Sequence, residues 1–241
     1  MSAQPNKVAY ITGSSSGIGR ALTKKLLDEG FYVFGISRKN EISHKNFEFI
    51  SCDLSDLSQT KQFTFSKKGH LTVLVNNAGL IGDINRIGEI NNDAIDEVLK
   101  VNTIAPQILC NNFVKTFQDQ SGEFHILNIS SGAGKNAIDA WSSYCASKAA
   151  LDLYSETIAA ELDWMEKRNW RVHSCAPGVV DTDMQTLIRS AHPNNFNRSE
   201  YFHDLKKNKE LFSPEYVAQK LRFLIDKRHD FSDVLVSVRD F

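Results

Sequence analysis

The sequence predicts a single α/β domain of Rossmann type, built on a doubly wound, seven-stranded, mostly parallel sheet flanked by helices. Three observations carry that expectation. Short apolar runs alternate with longer amphipathic segments along the whole chain. Most of the runs are nearly continuous in apolar and β-branched residues, as parallel strands covered on both faces require. No repeat, linker or shift of composition marks a second domain in the 241 residues, and one large α/β domain accommodates a length above the soft prior of about 150.

The expected strands are, in order, KVAYIT (7–12), FYVFGIS (31–37), FEFISCD (47–53), LTVLVNN (71–77), FHILNIS (124–130), RVHSCAP (171–177) and VLVSV (234–238). Among the helical segments, Ala21 to Glu29 ends at Gly30, a glycine placed for a left-handed carboxyl-terminal cap. Ser213-Pro214-Glu215 reads as a helix start, with Ser213 as N-cap and Pro214 at the first helical position. The stretch from Gln185 to Phe212 breaks the rhythm, being polar and rich in Asn, His and Lys. It follows a strand's carboxyl end, the edge where open α/β sheets bind ligands, so a substrate lid or pocket wall is expected over about 185–212.

Composition narrows the function classes. With 41% hydrophobic and 24% charged residues and a net charge of -1, the chain has no bulk attraction for nucleic acid or anionic membrane. Lys206, Lys207 and Lys209 read as a solvated helix face. No run approaches the roughly 18 apolar residues of a membrane helix, and MSAQPNKVAY has no secretory-signal pattern. Cys52, Cys110, Cys145 and Cys175 form no CxxC pair and read as free thiols in a reducing compartment. The seven histidines show no metal-ligand spacing. A cytoplasmic, metal-free protein is expected.

Between the first strand and the first helix lies ITGSSSGIGRAL (11–22). Gly13 turns the chain off the strand, Gly17 admits a pyrophosphate to the backbone, and Gly19 lets the helix pack closely. Ser15, Ser16 and Ile18 complete this dinucleotide-binding turn. No GK[ST] follows, which excludes a Walker-type triphosphate loop. The second strand ends GISRKN (35–40), without the acidic residue that would take a ribose 2′-hydroxyl. Ser37 can donate to a 2′-phosphate and Arg38 can clamp one, so the expected cofactor is NADP(H).

The stretch ISSGAGKNAIDAWSSYCASK (129–148) places Tyr144 and Lys148 four residues apart, on one face of a helix. A tyrosine phenol is protonated at neutral pH, with an ordinary pKa of about 10. A neighbouring ammonium favours phenolate and is expected to lower that value toward working pH. Hydride arriving at a carbonyl carbon leaves charge on oxygen, which calls for a proton and a donor in place. Tyr144 can supply the proton, and Ser130, Ser131, Ser142 and Ser143 are candidates for the donor. A Tyr-x-x-x-Lys alone is common on amphipathic helices; the glycine turn gives it weight.

TGSSSGIG (12–19), CDLSD (52–56), NNAG (76–79), VNTIAP (101–106), NISS (128–131), YCASK (144–148) and APGVVDTDM (176–184) occur in that order. Across essentially its whole length the sequence resembles the short-chain dehydrogenase/reductase family in its compact form. The resemblance implies that Tyr144 is the catalytic acid/base and Lys148 its partner. It selects Ser131, thirteen residues ahead of Tyr144, as the substrate-binding serine. Asn102 is implied as the residue that bends its helix and holds a water leading to the lysine. Asp53, with Leu54 beside it, is implied at the adenine, and Asn77, Ala78 and Gly79 on the adenosine side. Pro177, Gly178, Val180 and Thr182 are implied around the nicotinamide. A homodimer or homotetramer through the long helices is implied as well.

SGAGKN (131–136), a tryptophan three residues before Tyr144 and APGVVDT (176–182) are similar to the bacterial benzil reductases that form (S)-benzoin, a branch close to sepiapterin reductase. That similarity implies an NADPH-dependent reduction of a small ketone or of one carbonyl of a vicinal dicarbonyl. Trp141 is expected either against a planar substrate or in the core. Asp240 stands near the carboxyl end, where sepiapterin reductase anchors its pterin with an acidic residue. A 3-oxoacyl-[acyl-carrier-protein] reductase shares every motif and is the alternative. A non-enzymatic dinucleotide sensor fits less well, because Asn102, Ser131, Tyr144 and Lys148 are all present.

Overall fold

Seven parallel strands pair in the order β3-β2-β1-β4-β5-β6-β7 in a computed structural model that describes residues 5–241. They are β1 (Lys7–Thr12), β2 (Tyr32–Ser37), β3 (Phe47–Ser51), β4 (Leu71–Asn76), β5 (Glu123–Ile129), β6 (Trp170–Ala176) and β7 (Leu235–Ser237). Each begins within two residues of its expected start. The sheet is wholly parallel, where the sequence allowed a minority of antiparallel pairing. The first four residues of MSAQPNKVAY lie outside the described part.

The alternation of side chains sorts the core into two layers. Val8, Tyr10, Phe34, Leu74, Phe124 and Ile126 face α4 (Ala105–Phe117) and α5 (Ser142–Trp164). Ala9, Ile11, Val33, Val73, Val75 and Leu127 face α1 (Gly17–Asp28) and α8 (Pro214–Asp226). The edge strand β3 departs from the expectation of cover on both faces, with Glu48 and Phe49 exposed.

Local signals are met at both expected helix ends. At Gly30 (φ +81°), the Gly30 and Phe31 amides donate to the Leu27 and Leu26 carbonyls at 3.0 Å, closing a Schellman motif. Ser213 Oγ accepts from the Tyr216 amide at 3.1 Å, capping α8. Short helices α2 (Leu57–Gln62) and α3 (Asn92–Leu99) complete the layer that carries α4 and α5. Between α3 and α4, residues Lys100–Ile104 form a π-helical turn.

The strand order reverses between β1 and β4, and the crevice at their carboxyl ends is where such sheets bind ligands. The 185–212 stretch, carrying most of α6 (Asp183–Ser190) and all of α7 (Ser199–Lys207), leaves from and returns to that edge. Its base is pinned: the Phe212 amide donates to the Val179 carbonyl and the Asp181 amide to the Phe212 carbonyl, both at 2.9 Å.

Candidate functional site

A cleft of about 1490 Å³ opens at this carboxyl edge, large enough for a dinucleotide and a small substrate together. The α1 amino terminus forms one end, with free amides and no acidic residue in its first turn. A partial positive charge therefore faces the space where a pyrophosphate would lie. Gly13 holds φ +67°, and a Cβ there would lie 2.9 Å from Asn77 Nδ2 and 3.0 Å from Ala78 Cα, so only glycine fits the turn. The Asn77 side chain in turn donates to the Thr12 carbonyl at 2.9 Å. Thr12 Oγ1 accepts from the amides of Asn77 and Ala78 at 2.9 and 3.0 Å. The sequence reading did not single out Thr12; a hydroxyl at the end of a buried strand has no signature until its partner from β4 is known.

Ser15, Ser16, Gly17 and Ile18 line the cleft with Gly13, and so do Ser37, Arg38, Asp53, Leu54, Asn77, Ala78 and Gly79. Asp53 Oδ1 accepts from the Ser55 amide at 3.0 Å and its hydroxyl at 2.8 Å, which holds the Asp53 carboxyl below the usual range. Ser37, expected to donate to a 2′-phosphate, donates instead to the Lys39 carbonyl at 2.7 Å; Arg38 beside it makes no ion pair among the described residues. Pro177, Gly178, Val180 and Thr182 line the other end, where Thr182 Cγ2 would lie 3.1 Å from a Cβ on Gly17. Gly19, expected among the cofactor-binding residues, does not line the cleft; it is buried in α1, where a Cβ would strike the Gly13 carbonyl.

Ser131, Tyr144 and Lys148 line the same cleft. Ser131 follows β5 and caps a short 3₁₀ turn, its Oγ accepting from the Ala133 amide at 3.2 Å. Tyr144 lies in the first turn of α5, and Lys148 Nζ sits 5.7 Å from its ring centroid. Lys148 Nζ donates to the Ile129 carbonyl at 2.8 Å. Burial pushes the Tyr144 phenol up to about 12, opposed by hydrogen bonding from Ser131. The expected lowering by the lysine is not what the chain alone shows: removing the phenolate from water dominates, and Ser131 is the group that opposes it. Burial also brings Lys148 down to about 8, opposed by Asp152 one turn further along α5.

Asn102 is fully buried in the π-helical turn, behind the cleft wall. Its Oδ1 accepts from the Leu80 amide and its Nδ2 donates to the Leu80 carbonyl, both at 2.8 Å, with a further bond to Ser147 Oγ at 3.0 Å. Asn102 thus lies in an irregular turn, with its side chain committed to a backbone clasp. A Cβ on Gly79 would lie 3.4 Å from Asn102 Oδ1 and 3.6 Å from Lys148 Nζ, so Gly79 borders both side chains.

The substrate end has an apolar wall that the sequence reading largely missed. Ile81, Ala133, Ile138, Met184, Ile188 and Phe202 line it; they come from four separate stretches, and only the insertion had been marked. Trp141 is 6% exposed, packed with Phe196 and Phe202, and it also lines the cleft. Asp240 spends its carboxylate on the Ser237 amide at 2.7 Å and does not reach the cleft, whereas Arg239 does. Among the described residues no group of His, Cys, Asp and Glu is placed to hold a metal ion, and no helix is long and apolar enough to cross a membrane.

Fold and cleft define an oxidoreductase that binds a nicotinamide dinucleotide and acts on CH–OH and C=O groups. The family model described as short chain dehydrogenase matches residues 7–193, and the chain belongs to that family. It is 36% identical over 225 residues to the benzil reductase ((S)-benzoin forming) of Bacillus subtilis, covering 90% of this chain and 92% of that one. The enzyme of the same description from Bacillus cereus is 33% identical over 235 residues, covering 91% and 94%. Among solved structures, a 4-hydroxyisoleucine dehydrogenase mutant complexed with NADH and succinate superposes with a TM-score of 0.77 at 25% identity, covering 95% of both chains.

Proposed function

We propose that this chain is an NADPH-dependent reductase of apolar ketones, including one carbonyl of a vicinal dicarbonyl such as benzil. The observation that carries this is a buried Tyr144 phenol, beside Ser131 and Lys148, opening onto the cleft that begins at the glycine turn and ends in an apolar wall. The similarity to two benzil reductases over nine-tenths of the chain supports the substrate class. Arg38 at the end of β2, with no carboxylate in the ribose-binding position, supports NADPH.

When bound, the reduced dinucleotide supplies hydride to the carbonyl carbon. The Ser131 hydroxyl donates to the carbonyl oxygen and holds it beside the phenol. Tyr144, protonated at neutral pH, delivers its proton to the forming alkoxide, a stronger base than the phenolate left behind. Lys148, seated on the Ile129 carbonyl, places its positive charge next to that phenolate. The 185–212 segment serves as the substrate wall: Gln185, Leu187, Ile188, Arg198, Tyr201 and Phe202 all reach the cleft.

Exposed Leu153 (66%) and Trp164 (85%) on α5 support a homodimer or homotetramer through the long helices. Four unpaired cysteines support a cytoplasmic location.

NADPH and NADH oxidation measured against benzil, simple diketones, sepiapterin and an acetoacetyl thioester tests the reading. Reduction of benzil with a kcat/KM higher for NADPH is expected. Turnover of the thioester alone, or a preference for NADH, contradicts it.

A further inference from the structure

We propose that Trp141 is a positioning residue, the middle of an aromatic strut through which the 185–212 segment holds the ring of Tyr144 in place. The inference rests on the reading of Tyr144 as proton donor and adds a cause for its orientation.

The strut is continuous. The Trp141 ring meets Tyr144 edge-to-face, with centroids 5.7 Å apart and planes at 87°. It also stacks on Phe196 at 5.6 Å and 25° and leans on Phe202 at 5.4 Å and 32°. Phe196 and Phe202 stack on each other at 5.6 Å. All four side chains are at most 7% exposed. They belong to a third apolar cluster, separate from the two layers on the sheet. Edge-to-face and offset-stacked rings have defined preferred angles, so a chain of them transmits orientation where a loose aliphatic wall would not.

Two further features show that the contact is built. Ala140, immediately before Trp141, holds φ +63°, a left-handed conformation that non-glycine residues adopt only where the surroundings enforce it. Asp139, one residue earlier, accepts from the Asn197 amide at 2.7 Å and faces Arg198 at 3.8 Å. The loop that aims Trp141 is therefore fastened to the same short stretch, 196–198, that supplies Phe196.

The test compares Trp141→Leu, Trp141→Phe and Phe196→Leu with the wild-type chain, using benzil or the carbonyl of the panel above that is reduced fastest. Expected in Trp141→Leu are a kcat at least about ten-fold lower, a dinucleotide Kd within two-fold, and a larger solvent deuterium isotope effect on kcat. A displaced donor makes proton transfer more nearly rate-limiting, whereas a reduced folded fraction leaves the isotope effect unmoved. Trp141→Phe, which keeps a ring, should recover kcat to within about three-fold, and Phe196→Leu should reproduce the isotope effect in milder form. If Trp141→Leu does not fold, Phe196→Leu decides by the same criteria. An unchanged isotope effect, with or without a fall in kcat, overturns the strut. Tyr144→Phe run in parallel separates the two claims: full activity there removes Tyr144 from the reaction, while an inactive Tyr144→Phe beside an unaffected Trp141→Leu removes only the strut.

Discussion

The Lys148 ammonium is bonded to the Ile129 main-chain oxygen at 2.8 Å, so the last residue of β5 fixes the cation beside Tyr144. Its charge is sustained by Asp152, whose Oδ1 accepts from Ser174 Oγ at 2.6 Å in the same buried layer.

Activity that needs the Lys148 ammonium is present below about 8 and lost as pH rises through it, because burial favours the neutral amine. Asp152→Asn removes the opposing charge and should move the alkaline limb of kcat to lower pH. A kcat profile across pH 6 to 10, determined for both proteins, checks this; an unmoved limb contradicts the role of Asp152.

The strands were legible because a continuous apolar run between turn residues leaves few alternatives, and β1 shows it: KVAYIT was expected and Lys7–Thr12 observed. The glycine turn was legible because Gly13 answers a backbone requirement. The partner of Lys148 was not, since Ile129 contributes a main-chain oxygen and any residue carries one. Nor was the direction of the Tyr144 shift, which depends on how fully the ring is buried by Trp141 and the apolar wall. Phe196 and Phe202 lie more than fifty residues from Trp141 in sequence, and no local pattern joins them.

Arg38 is the one guanidinium at the end of β2, lining the cleft beside Ser37. Arg38→Ala should lower kcat/KM for NADPH by about 10- to 100-fold, the worth of a charge-assisted contact of roughly 1.5–3 kcal/mol. The value for NADH should change by less than about three-fold. Equal losses with both cofactors would show that Arg38 does not read the 2′-phosphate.

His125 and His173 form a buried pair across β5 and β6, with Nε2 and Nδ1 2.9 Å apart. His173 Nε2 faces the Phe231 carbonyl at 3.4 Å, so it carries the proton and Nδ1 accepts from His125. His125 Nδ1 is left buried without a partner. Burial holds His173 down at about 4 and His125 well below 6.5. Both pKa values are lower folded than unfolded, so the unfolded chain binds more protons as pH falls from about 6.5 toward 4, and stability is lost across that window. Urea unfolding at pH 7 and pH 5 should show the fall, and His125→Phe should flatten it. A slope unchanged in the variant contradicts the assignment.

The most direct test of the central claim is single-turnover reduction of benzil by Tyr144→Phe with NADPH bound. The variant loses only the phenolic hydroxyl, so dinucleotide Kd should stay within about two-fold of wild type while the rate falls by about 10²- to 10⁴-fold, the usual worth of a positioned acid. A rate within a few-fold of wild type, with cofactor bound, would contradict proton delivery by Tyr144.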